Sequence, residues 1–150
     1  MDLQTLSSLH DIFQEVQRQP DWRAALDTLF VSLRDSFIFD NVAVYLEDPR
    51  TKGLDVVYAR AVGRGKTAEA DAVWGEGVAN EAIAKGGMAL KEPKRVTGKT
   101  GRLDLAHLLA FPLYIGSKLG GALVFVRFGG RRIPSCIFRP RRFRHFGLRR

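Results

Sequence analysis

The sequence predicts an α+β fold, with a central antiparallel sheet of about five to six strands, N-terminal helices on one face and a covering helix and loops on the other. Two helix-period segments open the chain, and strand-like segments then follow in turn-linked pairs at both ends of the remainder. The last strand-like segment is apolar on both faces. Strand–turn–strand pairs build antiparallel ladders, and a sheet with two apolar faces has to be covered on both.

Leu3, Leu6, Leu9, Ile12, Phe13 and Val16 recur in steps of three and four, so residues 3–18 read as an amphipathic helix. Pro20 and Asp21 break it, and Asp21 is placed to cap a second helix running to about Ser36. Trp22, Ala25, Leu26, Leu29, Phe30 and Leu33 fall on one face of that helix. The period then changes to that of strands. NVAVYLED and LDVVYARAV are two strands joined through DPRTKG, where Pro49 and Gly53 bracket a hairpin loop. After the polar stretch GRGKTAEAD, residues 76–85 read as a helix with Val78, Ala82 and Ile83 facing inward, stopped by Gly86 and Gly87. MALK is a short strand and EPKRVTGKTGRLD a polar loop. HLLAFPLYI and GALVFVRF close the pattern as a hairpin through GSKLG. In the last strand Ala122, Val124 and Val126 share one side, and Leu123 and Phe125 the other.

With 150 residues, 45% hydrophobic and 27% charged, the chain has room for one domain with a real core. Its net charge of +8 has a single origin. The last twenty residues, RRIPSCIFRPRRFRHFGLRR, hold eight of the 24 Lys/Arg and none of the 16 Asp/Glu, so residues 1–130 are neutral. The basic character therefore belongs to the tail and not to the body. The chain divides accordingly into residues 1–130 as the domain and 131–150 as an atypical Arg-rich tail.

One Cys, Cys136, permits no intrachain disulfide, which agrees with a cytoplasmic setting. The N-terminus lacks the basic start and continuous apolar stretch of a signal peptide, and the apolar run from Leu105 is interrupted by His107 and Pro112. No membrane-spanning segment and no internal repeat are expected.

Three stretches in this order are similar to a GAF domain, a GAF/PAS-like module: FDNVAVYLED after a long helix, WGEGVANEAIAKG mid-chain, and LLAFPLYIGSKLGGALVF near the end. The Pro112-Leu113 pair closing a buried strand, the strand begun by Gly120-Gly121, and Gly75 and Gly77 before the helix match the pattern. The resemblance covers about residues 5–130. It implies a non-catalytic regulatory module of a bacterial-type signal transduction protein, one that senses a small molecule or dimerises. An output domain (histidine kinase, phosphatase, cyclase or activator), as in two-component systems, is expected in the full-length protein. It also implies a ligand held between one sheet face and the covering helix and loops. The matching positions are Trp74, Val78 and Asn80 around that helix, and Tyr58, Phe111 and Tyr114 on strands. Each of these has filling of the core as its alternative role. No ligand or cofactor is named by the resemblance. The family's reductases of free methionine sulfoxide use cysteine chemistry, for which Cys136 lies beyond the module and lacks a resolving partner. A bilin-attaching Cys is absent from the body as well.

Other chemistry finds little support. GRGKT and TGKTG end like phosphate-binding loops, but Arg60 and Pro93 stand where the first Gly is required. His10, His107 and His145 are scattered, with no metal-ligand spacing. Lys91, Lys94, Arg95, Lys99 and Arg102 make one loop basic, either as a solvated loop or as an attraction for an anion. The apolar stripe of the first helix has two readings, packing on its own domain or pairing with a second copy as a homodimer.

The tail has two readings also. As an alternative function, Arg139, Arg141, Arg142 and Arg144, interleaved with Phe138, Phe143 and Phe146, would neutralise phosphates and stack bases in nucleic acid. The other reading, favoured by Pro134 and Pro140 where the module would have a closing helix, is an out-of-frame ending. On that expectation residues from about 131 are disordered and the chain is a fragment or truncated form of a longer signalling protein.

Overall fold

The computed structural model describes residues 2–36, 38–62, 75–93 and 105–128, and the account below is of these. Helices α1 (Leu3–Gln17) and α2 (Trp22–Leu33) precede strands β1 (Asn41–Glu47) and β2 (Leu54–Ala61). Helix α3 (Glu76–Lys85) leads to β3 (Ala89–Lys91), and β4 (Ala106–Ile115) and β5 (Lys118–Phe128) complete the fold. One antiparallel sheet of five strands results, in the order β2-β1-β5-β4-β3, so the architecture is α+β as the sequence predicts.

The caps explain where the helices begin. The carboxylate of Asp2 accepts a hydrogen bond from the Thr5 amide at 2.7 Å, and that of Asp21 one from the Ala24 amide at 2.8 Å. Each satisfies a first-turn N–H that the helix leaves open. The second helix ends at Leu33, short of Ser36, with Arg34 as its C-cap. Its guanidinium donates to the carbonyls of Phe39 (3.2 Å) and Val62 (2.6 Å), tying the helix end to the start of β1 and the end of β2. α3 stops at Gly86, whose φ of 65° is left-handed.

Both sheet faces are covered, and alternation divides the side chains between them. On one face Ala43, Tyr45, Ala110, Ala122, Val124 and Val126 meet Val78, Ala79 and Ala82 of α3. On the other, Val42, Val44, Tyr58, Leu109 and Phe125 meet Phe39 and Phe30, with Leu26 and Leu33 beside them. Phe30 anchors α2 through rings at 5.5 Å (Tyr58) and 6.1 Å (Phe125). Trp22 stays half outside, with the Arg23 guanidinium 4.5 Å over its ring. α1 lies against α2 and has no buried residue.

The sheet has two unlike ends. At one, the β1–β2 and β4–β5 connections are tight. At the other, the start of β1, the ends of β2, β3 and β5 and the start of β4 come together. Asp40 stitches that end: its amide donates to Val126 O (2.7 Å), its carbonyl accepts from Val62 N (2.8 Å), and its carboxylate accepts from Phe128 N (2.7 Å).

Candidate functional site

The site builds up on the α3 face. The amide of Gly75, at the entry to α3, donates to the Tyr45 hydroxyl at 3.1 Å, so the helix start is fixed over the middle of β1. A methyl group at Gly75 would sit 2.7 Å from Tyr45 Oη and 3.1 Å from Val124 Cγ1, so only glycine permits the approach. Gly77, its companion in the sequence pattern, has open space around it. Tyr45 is fully buried, and burial pushes its phenol above the usual range, against the opposing hydrogen bond from Gly75. Glu76 in the first turn adds to the rise.

Four residues back along β1, on the same face, stands Asn41. It is fully buried, and among the described residues neither Nδ2 nor Oδ1 has a hydrogen-bond partner. Its strand neighbours are Ala61 and Val126, and Ala43 and Val124 lie beside it toward Tyr45. A carboxamide offering two donors and an acceptor oxygen thus rests among small aliphatic side chains on the sheet face that α3 covers.

Of the six residues expected around a pocket, the five that are described do not converge on one face. Val78 is buried on the α3 face, whereas Asn80 of the same helix is exposed. Tyr58 and Phe111 are on the α2 face. Tyr114 is 62% exposed near the β4–β5 turn, and Trp74 lies outside the described residues. A bulge accounts for Tyr58. Leu54 and Val56 face α3, but Tyr45 pairs with Val56 and Val44 with Tyr58, which leaves Val57 unpaired and sends Tyr58 to the opposite side. There its hydroxyl donates to Asp27 of α2 at 2.5 Å, and the same carboxylate oxygen receives Arg60 at 2.9 Å. Burial first, and Asp27 second, push the Tyr58 phenol well above the usual range. Phe111 pairs directly with Leu123 and therefore shares its face, with its ring 6.4 Å from that of Phe125.

At the end of the sheet, His107 and Arg127 are direct cross-strand partners. His107 is buried, its Nδ1 is unpartnered among the described residues, and Arg127 Nε is likewise buried and unpartnered. Burial holds the imidazole below its ordinary pKa; Glu92, just past β3, opposes the shift and Arg127 adds to it.

Asn41, Tyr45 and His107 were not among the expected site residues. The signal for Asn41 was a lone amide opening an otherwise apolar strand. Arg139, Arg141, Arg142 and Arg144, the two Gly-Lys-Thr stretches, and Lys94, Arg95, Lys99 and Arg102 lie outside the described residues; Lys91 is exposed on β3. Among the described residues no group of three or more His, Cys, Asp or Glu could hold a metal ion, and no helix is long and apolar enough to cross a membrane.

No family model matches the chain, and no curated protein matches it in sequence. Solved structures do match. The GAF domain of an Acinetobacter phosphoenolpyruvate-protein phosphotransferase is similar with a TM-score of 0.63 and 18% identity, over 87% of this chain and 81% of that one. The corresponding domain from Coxiella burnetii gives 0.57 and 19%, over 81% and 76%. Free methionine-R-sulfoxide reductase from Neisseria meningitidis, solved with its substrate, gives 0.57 and 23%, over 80% and 71%. At these identities the likeness is one of fold. The chain has a GAF-like α+β fold.

Proposed function

We propose that this chain is a non-catalytic regulatory module that binds a small molecule on the α3 face of its sheet and reports occupancy to an output domain. The observation that supports this is the fully buried, unpartnered amide of Asn41 on the sheet face over which Tyr45 holds the start of α3. A ligand seated there would bear on the helix and on β1 at once. The similar methionine-R-sulfoxide reductase shows that this fold also carries catalysis, but the sole thiol of this chain is Cys136, which leaves no second cysteine to resolve an oxidised one.

Hydrogen exchange of the full chain, with and without the dialysable small-molecule fraction of a cell lysate, tests this reading. Amides of β1 and the first turn of α3 gain protection on binding while those of α2 change little. Unchanged exchange on the α3 face refutes it.

The apolar stripe of α1 supports a second element of the reading, homodimerisation. Leu3, Leu6, Leu9 and Phe13 are 85, 48, 39 and 62% exposed. Light scattering on the eluting protein is expected to give twice the chain mass. A strict monomer at high concentration refutes the pairing.

A further inference from the structure

Buried polar groups in folded proteins are almost always hydrogen-bonded, so a fully buried carboxamide with both ends unmatched calls for an explanation. The Asn41 backbone is held in ladders to β2 and β5, and Asp40 before it is pinned by three hydrogen bonds, so the amide's position is set by the sheet. On its face the next residues are Ala43 and Val124, and over Val124 and Tyr45 comes Gly75 at the entry to α3. None of these side chains supplies a donor or acceptor to the amide.

We propose that Asn41 is the recognition residue for a small uncharged ligand presenting an amide edge, a carbonyl oxygen and an N–H side by side, as in lactams and pyrimidine-like rings. The inference rests on the ligand-sensing reading above and names its ligand class. An anion would engage Nδ2 but leave Oδ1 unmatched. A cation would engage Oδ1 and leave the two Nδ2 donors unmatched. An amide edge pairs with both atoms at once, Nδ2–H to the ligand carbonyl and ligand N–H to Oδ1. The surrounding alanines and valines suit a flat, weakly polar ring. Ketones of the same shape would make only one of the two bonds.

The test titrates the full chain with δ-valerolactam and with uracil, against cyclohexanone and benzoate, following the Asn41 side-chain amide signal by NMR. The two amide-bearing probes are expected to move that signal and to bind at least about tenfold more tightly than the comparators, the gain expected of one added hydrogen bond. Asn41→Leu abolishes the binding while the variant melts no lower than the parent, which separates lost recognition from lost folding. Equal binding of cyclohexanone or benzoate, or lactam binding that survives Asn41→Leu, overturns the inference. So does the absence of a shift with every probe. The ligand-sensing reading stands in each of these cases if lysate small molecules still protect the α3 face, and falls only if they do not.

Discussion

Gly75 and Tyr45 form a contact whose energetics can be separated by a double-mutant cycle. Gly75→Ala places a methyl 2.7 Å from Tyr45 Oη, about 0.7 Å inside ordinary contact, with Val124 Cγ1 and Tyr45 Cε2 at 3.1 and 3.3 Å. Forcing a carbon into so full a site costs about 1–3 kcal/mol. Tyr45→Phe removes the acceptor of the Gly75 amide and strands a buried N–H, also at about 1–3 kcal/mol. In the double variant the tightest clash is gone, because the hydroxyl that the methyl strikes no longer exists. The two costs should therefore fall short of additive by about 1 kcal/mol, well outside the few tenths typical of independent sites. Urea unfolding followed by far-UV circular dichroism measures this, and each kcal/mol should also appear as about 2–4 °C in Tm for a chain of this size. Gly77→Ala is the control: with open space around the position, replacing a helical glycine should stabilise by about 0.5–1 kcal/mol. Additive losses within about 0.5 kcal/mol would refute the claim that α3 is held by this contact.

Two further outcomes are expected. Tyr58→Phe should lower stability by about 1 kcal/mol, below the range for a buried charged acceptor because Asp27 is half exposed and keeps Arg60; no change in urea midpoint would show that the bond does not clamp α2 to β2. The folded-state pKa of His107 is depressed, so the unfolded chain binds the proton first as pH falls. Stability should be full above about pH 6.5 and decline below it until the folded pKa is passed, with a slope of up to about 1.4 kcal/mol per pH unit that His107→Gln removes. Arg34, Asp40, Lys91, Glu92 and Arg127 are among the charged groups described at that end of the sheet; an identical pH profile in the variant would show that other groups, and not the imidazole, set it.

The fold was largely legible. Periodicity located all eight elements of the described residues, Asp21 capped as expected, and the alternation of Ala122, Val124 and Val126 against Leu123 and Phe125 matched the two hydrophobic layers. The site was less so. Strict alternation from Leu54 and Val56 would have carried Tyr58 to the α3 face, but one unpaired residue in β2 reverses the side of everything after it. Such a bulge leaves no mark in the pattern of apolar residues, since Val57 and Tyr58 suit either face. Phe111 could have been placed correctly, because pairing opposite Leu123 in a tight hairpin fixes its side. The need for glycine at 75 and its absence at 77 depends on how near α3 approaches β1, a tertiary distance that no local pattern encodes.

The two-layered core also constrains how a message could cross the molecule. Side chains of β1 alternate strictly, Val42 and Val44 toward α2 and Asn41, Ala43 and Tyr45 toward α3, so no β1 side chain faces both helices. A push received on one side cannot be relayed by one rotamer displacing the next. It has to travel as a displacement of the strand backbone, and Asp40 fastens that backbone to β5 and β2 at one end. Because β1 is laddered to β2 on one side and β5 on the other, any such displacement is shared with both strands rather than carried by β1 alone.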